Sequence, residues 1–301
     1  MAKVIFLTSF FLILSGTSQA LAVRPTSPAR HAQTREKPAL TREKPIADKN
    51  TVDGENGPHY PGCKHSLKVK AVATYLKGGA VYDESAGLAK IEKTESNVWY
   101  KIPRWLAGTW VYYEGALTKY TDLKTGIARN DKQISHHEAT TIWGWQKDIL
   151  GDVWQYEDSP NVNKTRDEDK DKIVIYIRES NKLNFIDKNT LVCTTFYTYS
   201  AIEPRTLKID STYQSENICT YTLEDTGEIR RVVSSKIFDE NGEPLVQSES
   251  YSLAKRIYPF KPIDRKGSKN FRAQFVEYLK SHDMEELIRP PEMDDDLSIF
   301  R

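Results

Sequence analysis

Residues 136 to 138, His136-His137-Glu138, are the first place where side-chain types could do chemistry. In an extended segment His136 and Glu138 share one face while His137 points the other way. A carboxylate beside an imidazole can orient a general base, or supply two ligands to a metal. A zinc site needs at least one more nitrogen, sulfur or carboxylate, and the chain has neither a His-x-His nor a His-Glu-x-x-His spacing. Polar residues at the start of a strand are therefore the preferred reading, and no metal or cofactor is expected. The acidic stretch from Arg166 to Asp171 has the carboxylate density of a calcium loop. It lacks the glycine and the closing glutamate, so it reads as a solvated loop. A Gly-x-Ser-x-Gly elbow, a phosphate-binding glycine loop and a dinucleotide fingerprint are all missing, and no catalytic residue is assigned. Asn163-Lys164-Thr165 is a glycosylation sequon only in a eukaryotic host.

Two aromatic pairs suit binding better than catalysis. Trp143 and Trp145 lie two apart, as do Tyr197 and Tyr199, so each pair shares one strand face. Such faces either pack a core or wall a cavity for an apolar or planar ligand. Three cysteines are present. Cys193 and Cys219 sit equally far on either side of Thr206, and a hairpin centred there would oppose them. They are either a disulfide or two reduced, buried small hydrophobes. Cys63 is then an odd thiol, and a metal site shared with His65 is disfavoured.

These residues need a framework, and the 301-residue chain divides into four parts. Residues 1–22 read as a secretory signal: Lys3, an apolar run from Val4 to Leu14, then small residues ending Ala20-Leu21-Ala22. Export makes disulfides permissible and places the protein in the periplasm or outside the cell. A second long apolar run is lacking, so no transmembrane segment is expected in the mature chain. Residues 23–62 read as a disordered spacer, polar, almost without aromatics, and carrying a near-repeat at Thr34 and Thr41. With 43 basic and 42 acidic residues, nucleic acid is not an expected partner.

Residues 63–262 read as one antiparallel β domain. Candidate strands cover 67–76, 96–100, 109–113, 133–145 and 152–157, followed by a charged loop from Asp158 to Lys172. A meander then runs through 172–178, a Ser180-Asn181 turn, and 183–186, 191–199, 206–213, 218–223, 228–238 and 245–257. Asp225-Thr226-Gly227 and Asn241-Gly242 are turn signals. Many short strands without interleaved helices imply a barrel or a sandwich. Residues 263–301 hold one helix, Ser268 to Lys280, with Phe271, Phe275 and Leu279 on a stripe, and an acidic tail.

The stretch Ile102 to Tyr113 joins a proline-started turn, Gly108, and a strand carrying Trp110, and all six tryptophans fall between Trp99 and Trp154. Gly108-Thr109-Trp110 in this setting resembles the opening motif of lipocalins and the wider calycin group. The resemblance implies an up-and-down antiparallel barrel with a helix after its last long strand. It also implies closure of one end by Trp110 beneath a basic residue of the final strand, here Arg256 with Lys255 as fallback. The expected fold is thus all-β, a meander closing into a lipocalin-like barrel. The expected function is non-catalytic binding of a small hydrophobic or aromatic ligand by an exported protein, with Trp143, Trp145, Tyr197 and Tyr199 as contacts. Two alternatives stay open: an envelope structural or interaction protein with a filled interior, and an enzyme using the His136–Glu138 face.

Overall fold

The computed structural model describes residues 64–83, 98–130, 132–135, 139–157, 161–167 and 171–290. The signal segment, the spacer, Cys63, His136 to Glu138 and the tail from residue 291 onward lie outside the described residues. The described chain is all-β and antiparallel, with one α-helix near its C-terminal end.

Fifteen strands occur in order: β1 (Val98–Ile102), β2 (Gly108–Asp122), β3 (Ala128–Arg129), β4 (Gln133–Ser135), β5 (Ala139–Trp143), β6 (Gln146–Lys147), β7 (Val153–Glu157), β8 (Asn161–Asp167), β9 (Lys172–Asp187), β10 (Thr190–Ile202), β11 (Ile209–Leu223), β12 (Ile229–Asp239), β13 (Pro244–Tyr258), β14 (Arg265–Lys266) and β15 (Lys269–Asn270), followed by helix α1 (Phe271–Ser281). The main sheet runs β2-β13-β12-β11-β10-β9-β8, and β3, β4 and β5 pair successively along the other edge of β2. A smaller sheet has the order β1-β7-β6.

The main sheet is strongly curled. Trp143 on β5 and Tyr221 on β11 are four strand spacings apart, which is about 19 Å across a flat sheet. Their rings nonetheless meet edge to face at 5.3 Å. One face is therefore concave, and β2, β5, β10, β11, β12 and β13 all contribute to a single core there: Trp110, Tyr112, Trp143, Leu191, Cys193, Cys219, Tyr221, Ile229, Val233 and Ala254. Among the described residues no strand pairing joins β8 back to β5, so hydrogen bonds alone do not close the sheet.

The convex face has its own cover. Residues 67–76, expected as a strand, form no ladder; a single 3₁₀ turn spans Thr74–Leu76. The segment crosses the sheet instead. It takes hydrogen bonds from the Gln214 amide to the Lys70 carbonyl (3.0 Å) and from the Thr212 hydroxyl to the Leu76 carbonyl, and its Val72 N–H donates to the Glu240 carbonyl (3.0 Å). Val72, Leu76 and Tyr82 bury against Ile175, Ile177, Ile202 and Ile209. At its start the Ser66 N–H donates to Glu216 (2.7 Å), His65 Nδ1 lies 3.0 Å from the same carboxylate, and Lys236 donates to the Ser66 carbonyl (2.7 Å).

Three further expectations change. The charged stretch after Asp158 contains strand β8, which pairs with β9 from Asp167↔Lys172 to Asn161↔Arg178. Ser180 and Asn181 are not a turn; β9 passes straight through them, and a bulge opposite Phe196 and Tyr197 absorbs the misfit. The helix starts at Phe271 rather than Ser268, because the Asn270 side chain accepts from the Ala273 N–H and caps it. Its stripe of Phe271, Phe275 and Leu279 packs on Trp99, Trp145, Trp154 and Tyr156 to form a second core.

Candidate functional site

The tryptophan end of the concave face is filled. Trp110 is fully buried, its indole N–H donates to the Leu106 carbonyl at 2.8 Å, and Arg256 sits directly opposite it in the β2–β13 ladder. The Arg256 guanidinium lies 4.7 Å from the centre of the Trp110 ring and also donates to the Trp105 carbonyl. A cation–π contact of this kind contributes about 0.5–2 kcal/mol. Lys255 points elsewhere, over the Tyr113 ring at 4.6 Å. Gly108 has φ +132°, and a Cβ on it would stand 2.7 Å from the Tyr258 carbonyl oxygen, so the start of β2 requires glycine.

Trp143 and Trp145 do not share a face. Trp143 belongs to the concave core, whereas Trp145 lies under α1, 4.5 Å from the Phe271 ring. Gly144 between them is the reason. Its φ of +88° ends the period-two alternation, and its N–H donates to the Gln155 side chain at 2.7 Å. A Cβ there would meet Val153 Cγ1 at 2.5 Å. Trp145 is thus a structural residue of the helix core rather than a contact of the interior.

Tyr197 and Tyr199 do point together, with ring centres 5.8 Å apart, and Tyr176 of β9 stands edge-on to Tyr199 at 5.1 Å. Tyr197 and Tyr176 are half-buried, unlike the fully covered Trp110 and Trp143. Burial, and then the nearby Asp167 carboxylate, push the Tyr176 phenol up to about 12. Burial also raises Tyr197 and Tyr199, so all three are neutral O–H donors at physiological pH.

Between the filled end and this tyrosine group lies a belt of polar side chains. Arg178 Nη2 of β9 is 2.6 Å from Glu157 Oε1 of β7, and both residues are buried. Tyr100 O–H (2.8 Å) and the Asn181 amide donate to the other Glu157 oxygen. Asn181 in turn accepts from the Cys193 thiol (2.6 Å) and the Thr195 hydroxyl (3.2 Å). On β11 Ser215 donates to Asn217 (3.0 Å). Arg231 of β12 faces the same space, directly opposite Tyr221 on one side and Ser252 on the other. Its guanidinium lies 5.0 Å from the Tyr112 ring centre, and its ionisable neighbours are Tyr112, Tyr221, Cys219 and Tyr197.

The two cysteines are exact cross-strand partners, Cys193↔Cys219, but both thiols are free and buried, which corrects the disulfide option. Directly opposed Cβ atoms stand about 4.5–5.5 Å apart, whereas a disulfide draws them to about 3.8 Å. Here the Cys193 thiol is instead committed to Asn181. Burial pushes both thiols up, so they are protonated.

Arg231, Arg178, Glu157 and Asn181 were missed from sequence. Arg231 carried a usable signal: it interrupts the apolar alternation Ile229, Val233 on one strand face. Asn181 was hidden by its turn-like neighbour Ser180. Glu157 could not be found because its partners lie on β1 and β9, far from it along the chain. Among the described residues no group of three His, Cys, Asp or Glu side chains is placed to hold a metal ion. No helix among them is long and apolar enough to cross a membrane. Comparison of the chain with protein-family models, with curated proteins and with solved structures returns no match.

Proposed function

We propose that the chain is an exported, lipocalin-like binding protein that holds a small hydrophobic or aromatic ligand inside its curled sheet, without catalysis. In this reading the small sheet β1-β7-β6 completes a barrel by occupying the gap between β5 and β8. The Glu157–Arg178 pair, which ties β7 to β9, supports that placement. The exported address rests on the apolar run from Val4 to Leu14 and the small residues after it.

The observation that carries the proposal is the contrast along the concave face. Trp110 and Trp143 are sealed at one end, while Tyr176 and Tyr197 remain half-buried beyond the polar belt. A face that is apolar, aromatic and only partly covered suits a small ligand with a few polar anchors. Tyr197 and Tyr199 are the aromatic contacts in this reading, and Trp143 forms the sealed floor beyond the polar belt.

The interaction-protein alternative draws on the same sealed end, since a fully filled interior would leave only outer surfaces for a partner. Organic extraction of the purified protein, followed by mass spectrometry, separates the two. A stoichiometric apolar compound, or saturable one-to-one uptake of an apolar fluorescent probe quenched at Trp143, supports the carrier. An empty extract together with no saturable uptake overturns it.

A further inference from the structure

The polar belt holds an unbalanced charge. Glu157 is neutralised by Arg178, but among the described residues no carboxylate pairs with Arg231. Arg231 Nε is buried and has no acceptor. The Ser252 hydroxyl, its cross-strand partner on the same face, is buried and unpartnered as well. Trp143 Nε1 carries no weight here, because it and the Arg231 guanidinium both approach the Tyr112 phenol oxygen, so the argument rests on Arg231 Nε and the Ser252 hydroxyl. Arg231 as a whole is half-buried, and a partly desolvated guanidinium without a counter-charge carries a cost, while its fork of N–H donors matches a carboxylate in shape and charge. The phenols around it, Tyr112, Tyr197 and Tyr221, are held neutral by burial and add O–H donors rather than negative charge.

We infer that Arg231 and Ser252 form an anchor for the anionic head of an apolar ligand, a monoanionic carboxylate on a hydrocarbon or aromatic body. The single uncompensated positive charge balances a monoanion rather than a dianion. The head lies in the polar belt, and the body extends toward Tyr197, Tyr199 and Tyr176. This rests on the binding-interior reading above and names its ligand chemistry.

The test is titration calorimetry of the full protein with dodecanoate, dodecanol and dodecyl phosphate. Dodecanoate is expected to bind at least tenfold more tightly than dodecanol, as a charge-assisted hydrogen bond of about 1.5–3 kcal/mol implies. Arg231→Met should abolish that preference while leaving dodecanol affinity within about threefold. It should also leave the melting temperature of the unliganded protein unchanged or slightly higher, because an unpaired, half-buried charge is removed. Should Arg231→Met fail to fold, Arg231→Lys, which keeps charge but loses the fork, should weaken dodecanoate several-fold and leave dodecanol unchanged. Equal affinity for acid and alcohol, or a preference that survives Arg231→Met, overturns the anchor but leaves the binding interior standing. Tighter binding of dodecyl phosphate than of dodecanoate overturns the monoanion assignment. If none of the three probes binds, the interior reading falls and the anchor with it.

Discussion

The molecule has two aromatic cores, and they are built on opposite principles. Under α1, Trp99, Trp145, Trp154, Tyr156, Phe271 and Phe275 meet ring to ring at 4.5–6.5 Å. Their cations stay at the rim, Lys266 over Trp145, Lys269 over Tyr156 and Lys101 over Trp154. The one buried carboxylate there, Asp148, is satisfied by the Trp154 indole (2.9 Å) and the Asp152 N–H (2.8 Å). Inside the curled sheet, by contrast, two guanidiniums, a carboxylate and several amides and hydroxyls sit among the aromatics. A chain that needed only stability would fill both spaces in the first way, since buried ion pairs add little compared with apolar packing. In the proposed reading, the helix core is structural and the concave interior is where specificity is kept.

Breaking each core should therefore have a different signature. Phe275→Ala, which empties the centre of the helix core, is expected to cost about 3–5 kcal/mol by denaturant unfolding, with ligand affinity of the folded fraction unchanged. Arg178→Met leaves Glu157 buried without its partner and should cost a similar 3–5 kcal/mol. Adding Glu157→Gln should recover most of that loss, and the resulting double-mutant cycle measures the coupling. Gly144→Ala forces a left-handed backbone and a clash with Val153, for about 1–3 kcal/mol. Near-ultraviolet circular dichroism should then report both cores at once, because Trp143 and Trp145 diverge at that residue.

Arg256→Ala should cost only about 0.5–2 kcal/mol in unfolding experiments, through the lost contact on Trp110. The smallest effect is expected from reductant. With Cys193 and Cys219 both free, the melting temperature should be the same with and without dithiothreitol. A drop in dithiothreitol would show that these partners join after all.

What could be read from sequence follows the range of the interactions involved. The hairpin centred on Thr206, which aligns Cys193 with Cys219, is local and obeys the period of two. The Arg256–Trp110 juxtaposition came through a motif resemblance, because the two residues lie on strands far apart in the chain. The pairing of Trp143 with Trp145 went wrong at a single torsion, since Gly144 carries the only information that the face switches and glycine alone does not declare its φ. Alternation in residues 67–76 runs in the wrong phase for the burial observed: Leu67, Ala71 and Ala73 of the apolar series are exposed, while Val72 and Leu76 of the other parity bury on the convex face. Leu207 shows the same limit from the other side. It falls within the candidate strand 206–213, where a period of two would align it with Ile209 and Tyr213, but it sits in the turn with φ +55° and is exposed. The polar belt was least legible, because β1, β7, β9 and β12 each contribute one or two members that look ordinary in isolation.

The proposed anchor is tested most directly by where an apolar acid sits and in what ionisation state. Dodecanoate labelled with carbon-13 at its carboxyl, added to the purified protein and followed by NMR across acid pH, reports both. A single bound resonance that stays ionised below the titration of the free acid, and that is lost in Arg231→Met, is the predicted result. A bound resonance that titrates like the free acid, or that is indifferent to Arg231, would contradict it.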